Sequence, residues 1–227
     1  MRLPTYMLLF LTVFGCRGAG QAAKERTPYA LDSISRIVPS KGALRCPSVP
    51  KVRYRGKHIR YHKPVTIYSG FRPHLIRFES KVREVALKFY GRPPTRIIHY
   101  GTYNCRRIRG WSSVLSEHAL GNAIDVAGFD FGPERKEDAF RLQPRLRRPF
   151  KVRLKQHYFA KRGVGATHSR FLKALRREIE RSGTFRVVLG PGDSRHSDHF
   201  HLDYGPTITQ KLLMRVNTLV ARVHGDN

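Results

Sequence analysis

Two short stretches of the sequence carry side chains that could bind a metal ion and move a proton. His118 and Asp125 lie seven residues apart, and His199 and His201 follow further along the chain with one residue between them. Two imidazoles and a carboxylate form a three-ligand zinc site with an open fourth position, where zinc lowers the pKa of a bound water toward neutrality. These four residues therefore predict metal-assisted hydrolysis of an amide or an ester.

The spacing of the second pair indicates a β-strand. Side chains alternate along a strand, so His199, His201 and Asp203 point to one face of the segment DHFHLDY. Phe200 and Leu202 then point to the other face and supply apolar anchors. Two imidazoles that share one face can address a single ion.

The seven-residue gap between His118 and Asp125 differs from the helical i, i+4 pair of HExxH peptidases. It suits a loop residue followed by a residue on the next strand, which the segment NAIDVAGFDF indicates. Gly121 allows the backbone to turn between the two residues.

The rest of the chain predicts a mixed architecture. An amphipathic helix is indicated by apolar residues at helical spacing ahead of a stop at Gly91, namely Phe78, Val82, Val85 and Phe89. Other patterned segments are a β-hairpin between Val52 and Tyr68, strands at 96–106 and 185–190, a helix from about Thr167 to Gly183, and an amphipathic helix at 207–227. We expect one α+β domain, in which a small antiparallel sheet is flanked by helices and the zinc site lies at the sheet.

Residues 1–20 have the layout of a secretory signal peptide. Arg2 precedes an apolar stretch that is too short to span a bilayer, and small residues follow it. An N-terminal core helix is the less favoured alternative, because the stretch has no amphipathic period. We expect export to the periplasm or cell envelope, with a linker or loose arm at 21–45, the folded domain at 46–206, and no transmembrane segment in the mature chain.

Cysteine usage agrees with an exported protein. Cys16 ends the predicted signal peptide and is removed with it or used for lipid attachment, which the bulky Phe14 makes the less favoured outcome. Cys46 and Cys105 remain, and an oxidising compartment favours a disulfide between them. Two separate buried thiols are the alternative, since spacing alone does not show proximity.

The formal net charge of +28 requires or tolerates an anionic neighbour. The densest basic segment, residues 134–162, has eleven Lys or Arg against three acidic residues. Peptidoglycan or another anionic cell-wall polymer, a membrane surface and nucleic acid all satisfy such a charge. We do not expect nucleic acid as the partner, because the chain has a predicted signal peptide and the basic segment contains no recognisable nucleic-acid-binding module.

Longer strings around the candidate site resemble a known group of enzymes. SEHALGNAIDVAGF and GPGDSRHSDHFHLDYG resemble signatures of the zinc peptidases that include D-Ala-D-Ala carboxypeptidases, murein endopeptidases and the hedgehog domain. They are similar to the extensin-like C-terminal domain of bacterial proteins, through the segments 103–106, 116–125 and 189–203. The resemblance covers roughly residues 46–206.

This resemblance implies that His118, Asp125 and His201 are the zinc ligands and that His199 is the catalytic group beside them. Strand alternation agrees, because His199 lies one pleat from His201 on the same face, near enough to take a proton from a bound water or to orient it. His196 resembles an accessory histidine of the murein endopeptidases, or else it is a solvent-exposed turn residue.

Three further residues each have a candidate role and an ordinary alternative. Arg106 could hold the oxyanion of a tetrahedral intermediate or a substrate carboxylate, or it is a solvated surface charge, and Arg107 competes with it for the same role. Ser116 and Asp203 could position the ligands through hydrogen bonds, or they serve as cap and turn residues.

Together these observations predict an exported zinc-dependent peptidase that hydrolyses peptide bonds in peptidoglycan, as a crosslink endopeptidase or a carboxypeptidase. The alternative is a non-catalytic cell-wall-binding protein with a structural or idle zinc site. The presence of His199 favours the enzyme.

Overall fold

The computed structural model describes residues 29–134, 144–193 and 195–206. The predicted signal peptide, Cys16 and the predicted helix at 207–227 lie outside the described residues, as does the part of the basic segment from 135 to 143. Within the described ranges, no helix combines the length and the apolar character needed to cross a membrane.

The described chain folds into ten strands, four α-helices and three 3-10 helices. The strands are β1 Lys51–Tyr54, β2 Arg60–Tyr61, β3 Val65–Tyr68, β4 Arg96–Gly101, β5 Arg107–Ile108, β6 Trp111–Leu115, β7 Ala123–Phe131, β8 Phe150–Arg153, β9 Val187–Leu189 and β10 Phe200–Asp203. The helices are α1 Arg72–Tyr90, α2 Pro144–Arg147, α3 Leu154–His157 and α4 Gly163–Ser182, with 3-10 helices at Ala30–Ser33, Ser69–Phe71 and Glu117–Leu120.

The main sheet has six strands in the order β2-β4-β7-β10-β9, and β8 also pairs with β7. Its pairs are antiparallel except for β2 with β4, which run parallel. β1 with β3 and β5 with β6 form two small antiparallel sheets. The predicted α+β class with small antiparallel sheets and helices is therefore confirmed, and β1 with β3 forms the expected hairpin-like pair, with β2 lying in the connection between them.

The two long helices pack on one face of the main sheet. Phe129 of β7 meets Phe171 of α4 edge-on with ring centroids 5.6 Å apart, and Tyr90 of α1 meets Phe131 at 4.7 Å. Aromatic pairs of this geometry add about 0.5–1.5 kcal/mol to the burial of their surfaces. The opposite face carries Asp125 of β7 and His201 of β10.

Both long helices follow from the apolar spacing of the sequence. In α1, Phe78, Val82 and Val85 are buried, and the chain leaves the helix at Gly91, whose φ of 64° is left-handed. The second predicted helix is α4, which begins at Gly163, four residues before the predicted start. Its apolar face is fully buried and consists of Phe171, Leu172, Leu175 and Ile179.

Residues 29–45, which belong to the segment predicted as a linker or loose arm, pack on the domain. Leu31 is only 2 % exposed, Ile37 forms an isolated bridge with Val114 of β6, and the Arg36 guanidinium forms an ion pair with Glu117. These anchors are single residues at irregular spacing, which is why no helical or strand period marks them in the sequence.

Cys46 and Cys105 form the predicted disulfide, with Cα atoms 5.9 Å apart. The bond ties the segment before β1 to the loop that follows β4. That loop includes Thr102 and Asn104, both of which contact His118. The disulfide thus anchors a loop next to the candidate site.

Candidate metal centre

Pairing of β7 with β10 brings the two sequence motifs together. Asp125 and His201 are direct cross-strand partners in this antiparallel pair. Phe200 and Leu202 point to the core and are fully buried, whereas His201 lies on the other face, as strand alternation predicts. The tertiary structure therefore places one histidine and the aspartate side by side.

His118 reaches the same place from the 3-10 helix Glu117–Leu120. The chain turns into β7 at Gly121, whose φ is 65°, and the Gly121 carbonyl accepts a hydrogen bond from Tyr68 N at 2.9 Å. A Cβ atom at Gly121 would lie 2.8 Å from that nitrogen. Only glycine combines this left-handed turn with so close an approach of β3.

Three donor atoms converge at this point. His118 Nε2 lies 3.2 Å from Asp125 Oδ1 and 3.2 Å from His201 Nδ1, and the last two atoms are 2.9 Å apart. Tetrahedral zinc with bonds of about 2.0–2.1 Å holds its ligand atoms about 3.3 Å from one another. The spacing and the chemistry of this His–Asp–His group both fit zinc.

The outer nitrogen of each imidazole is held by an oxygen atom. His118 Nδ1 donates to the Thr102 carbonyl at 3.1 Å, and His201 Nε2 donates to Asp203 Oδ2 at 2.9 Å. Asp203 is itself fixed by the backbone N–H of Gly205 at 2.8 Å. Such partners set the tautomer and the ring orientation that metal binding needs, so the inner nitrogens are aimed at a common centre.

The protein sets the charge of this group. Burial disfavours the charged form of His201, but hydrogen bonds with Asp125 and Asp203 outweigh that effect and raise its pKa to about 9. Burial also acts to raise the pKa of Asp125, yet its hydrogen-bond interactions with His118 and His201 lower it well below the ordinary value. Near neutral pH the metal-free group thus contains an ionised Asp125 beside a protonated His201.

His199 lies beside the group formed by His118, Asp125 and His201, on the same side of the sheet. This group of candidate metal ligands is called the ligand group below. Its Nε2 is 3.5 Å from Asp125 Oδ1, and its Nδ1 is 2.8 Å from Asp198 Oδ1. Tyr100 packs edge-on against the His199 ring at 5.7 Å and donates to Asp198 Oδ2 at 3.5 Å. An imidazole held at one nitrogen by a carboxylate presents its other nitrogen to the site in a defined orientation.

His196 is also brought to the site. Its ring centroid lies 5.2 Å from that of His199 and 5.6 Å from that of His201, and the residue is half-buried. The structure thus places His196 next to His199 and His201 and partly shields it from solvent.

The two neighbouring arginines differ in what they contact. Arg107 donates to backbone carbonyls of the 39–42 loop, with Nη2 at 2.7 Å from Pro39 O, so its guanidinium fastens that loop. Arg106 makes one longer hydrogen bond, 3.3 Å to Arg107 O, and lines the cleft in front of the ligand group. Both side chains line the cleft, and Arg106 has fewer hydrogen bonds to the backbone than Arg107.

Ser116 and Asp203 both contact residues of the His–Asp–His group. Ser116 Oγ accepts the backbone N–H of His118 at 3.3 Å, which caps the short 3-10 helix and orients His118 indirectly. Asp203 contacts the His201 ring directly, so it combines the hydrogen-bonding role with a turn contact to Gly205.

A cleft of about 850 Å³ opens onto the ligand group. His196, His199 and His201 line it together with apolar side chains of β6 and β9 and several arginines. Trp111, the single tryptophan of the chain, also lies on its wall. A space of this size can hold a short peptide segment rather than only an ion and water.

Sequence reasoning missed three contributors to the site, Thr102, Tyr100 and Asp198. Thr102 acts through its backbone carbonyl, for which the sequence has no signal. Tyr100 reaches the site only because β4 pairs with β7. Asp198 directly precedes His199, so an acidic residue next to a candidate catalytic histidine was the available signal.

The fold and the site define an α+β domain whose main sheet gathers a His–Asp–His group capable of binding a metal. A family model described as the extensin-like protein C-terminus matches residues 19–212. The chain therefore belongs to this family, as the sequence motifs predicted, and the matched range extends beyond 46–206 at both ends. No match is found among curated proteins or solved structures.

Proposed function

We propose that this protein is a zinc-dependent peptidase that hydrolyses peptide bonds in the peptide part of peptidoglycan. The observation that carries the proposal is the convergence of His118 Nε2, Asp125 Oδ1 and His201 Nδ1, with the Nε2 atom of His199 only 3.5 Å from the same aspartate. A purely structural zinc site takes four protein ligands, whereas three ligands with a histidine alongside are typical of hydrolytic sites.

A zinc ion held by these residues supplies a Lewis acid that polarises a scissile carbonyl and activates water at neutral pH. The protein's own residues complete the chemistry. His199, oriented by Asp198, accepts the proton of the attacking water and returns it to the leaving amine. Arg106, in the cleft wall, pairs with negative charge on the substrate or on the tetrahedral intermediate, and His196 assists from beside His199.

The substrate class rests on three observations. The sequence motifs resemble those of zinc peptidases that act on wall peptides, residues 1–20 have the layout of a signal peptide, and the net charge of +28 favours an anionic cell-wall polymer as the surroundings. The half-apolar, arginine-bearing cleft suits a peptide that carries carboxylates. The proposed location is the periplasm or cell envelope.

Two measurements on the purified protein test this proposal. The first is zinc content, for which we expect one ion per chain. The second is digestion of isolated peptidoglycan with mass analysis of the released fragments, for the wild type and for His199→Ala. We expect cleavage by the wild type and a loss of roughly a hundredfold or more in the variant, in line with removal of a general base.

His58→Ala is a matched control, because His58 is exposed and lies outside the cleft. It should cleave like the wild type. Bound zinc with no cleavage by any form would instead favour the non-catalytic wall-binding alternative. Cleavage that persists after zinc removal would contradict the zinc-dependent mechanism.

A further inference from the structure

Five arginines line the cleft around the His–Asp–His group. Two of them are occupied by the fold: Arg36 pairs with Glu117 at 2.7 Å, and Arg107 binds the Pro39 carbonyl. Three others line the same cleft, and within the described part of the chain none of them forms an ion pair with a carboxylate. These are Arg106, Arg109 and Arg195.

Arg195 has an unusual backbone conformation. Its φ is 66°, which makes it the one described residue other than glycine with a positive φ. Its guanidinium donates to the Arg109 carbonyl and lies against Gly110, where an added Cβ would meet Arg195 Nη1 at 2.9 Å. A non-glycine residue persists in this conformation only where the surroundings hold it, and such positions cluster at binding sites.

Arg109, Gly110 and Trp111 form the tip of the β5–β6 hairpin, opposite the turn that carries Arg195. Arg109 at the tip and Arg195 on the facing turn are both exposed, while Trp111 is half-buried and lines the cleft. The indole and the two arginines line the same cleft, so its wall offers an apolar surface together with guanidinium donors.

We propose that Arg109, Arg195 and Trp111 form a subsite that binds a carboxylate of a peptide, separate from Arg106 and from the ligand group. Guanidinium groups without a carboxylate partner repel basic peptides and match a carboxylate with paired hydrogen bonds. The substrate class that follows is an acidic peptide with a free carboxylate beyond the bond that is cut. This inference rests on the proposed function only in placing that bond at the ligand group.

The subsite has a built-in reporter, because Trp111 is the single tryptophan of the chain. Tryptophan fluorescence of the full-length protein is titrated with a triglutamate peptide and, in parallel, with a triglutamine peptide of the same length. We expect a saturable fluorescence change with triglutamate that weakens as salt is raised, and none with triglutamine at the same concentrations.

Two variants remove the charge and introduce residues that suit the local backbone. Arg109→Gln keeps a long polar side chain, and Arg195→Asn uses a residue that tolerates the left-handed conformation. Each is expected to weaken triglutamate binding by roughly threefold to tenfold, the range for loss of one partly exposed charge-assisted contact. Arg170→Gln and Arg177→Gln on exposed positions of α4 make the same charge change outside the cleft and should bind like the wild type.

Three outcomes would overturn the subsite. Triglutamine could bind as tightly as triglutamate, or the two α4 control variants could weaken triglutamate binding as much as the cleft variants do. Inorganic phosphate could also displace triglutamate at a concentration below that of the peptide, which would indicate a phosphate site. These outcomes are independent of the proposed function. Cleavage of peptidoglycan without a preference for triglutamate removes the subsite alone, whereas a clear preference without cleavage removes the peptidase and leaves the subsite.

Discussion

A zinc ion bound at the proposed site would displace a proton from His201, and the raised pKa of His201 sets the size of that competition. Hydrogen bonds to Asp125 and Asp203 raise the pKa of His201 to about 9 in the metal-free protein. Because pH 7 lies about two units below this pKa, competition from the proton weakens the apparent zinc affinity about a hundredfold, or by about 2.7 kcal/mol. The apparent affinity should rise nearly tenfold between pH 7 and 8 and level off above pH 9.

Zinc affinity is measured by competition with a chelator whose own pH dependence is known. Calorimetry at pH 7 in two buffers of different ionisation enthalpy then counts protons, and we expect about one proton released per zinc bound. An affinity that is the same at pH 7 and 8, together with no proton release, would show that His201 is neutral in the metal-free protein and refute the reasoning.

The same raised pKa predicts how the metal-free fold responds to pH. The pKa of His201 in the folded state, about 9, exceeds the ordinary value of 6.5, so protonation of His201 contributes its full stabilisation of the fold below pH 6.5. This contribution is lost as pH rises through 9 and amounts to roughly 3 kcal/mol. Denaturant unfolding in the presence of a chelator should therefore give a lower free energy of unfolding at pH 9.5 than at pH 6. The decrease should be larger in the wild type than in a His201→Gln variant, which reports the pH effects of all other groups.

Three further predictions concern the residues that support the site. Asp203→Asn should weaken zinc binding roughly tenfold to a hundredfold with circular dichroism unchanged, because the His201 ring loses its carboxylate partner; an unchanged zinc dissociation constant would contradict this role. Gly121→Ala should lower the free energy of unfolding by more than about 1 kcal/mol beyond Gly183→Ala, since both glycines are left-handed but only Gly121 is crowded; equal effects would mean that crowding is unimportant. Replacing Cys46 and Cys105 by alanine should cost roughly 4 kcal/mol for a loop of 59 residues, and a denaturation midpoint equal to that of the wild type would contradict it.

The sequence specified the elements that local pattern controls. Apolar spacing placed α1 and α4, because a helix that packs on a sheet must repeat its apolar side chains every three to four residues. Alternation in DHFHLDY placed His201 on the polar face of β10 and Phe200 in the core, because the pleat permits no other arrangement once one face is buried. The family motifs added the grouping of His118 and Asp125 with that strand.

Only the tertiary structure decided the contacts between segments that are distant in the chain. Arg36 and Leu31 pack their arm on the domain through partners that lie far along the sequence, so no local period marked them.

The candidate site shows the same division. Residue types and spacing pointed to a His–Asp–His group, but the orientation of each imidazole depends on Thr102 and Asp203, and the charge of the cleft wall depends on which arginines the fold already occupies. One arginine fastens a loop, as Arg107 does, and the next lines the cleft without a described carboxylate partner, as Arg106 does, according to which groups lie within hydrogen-bond reach. That is a property of packing, which one-dimensional pattern does not contain.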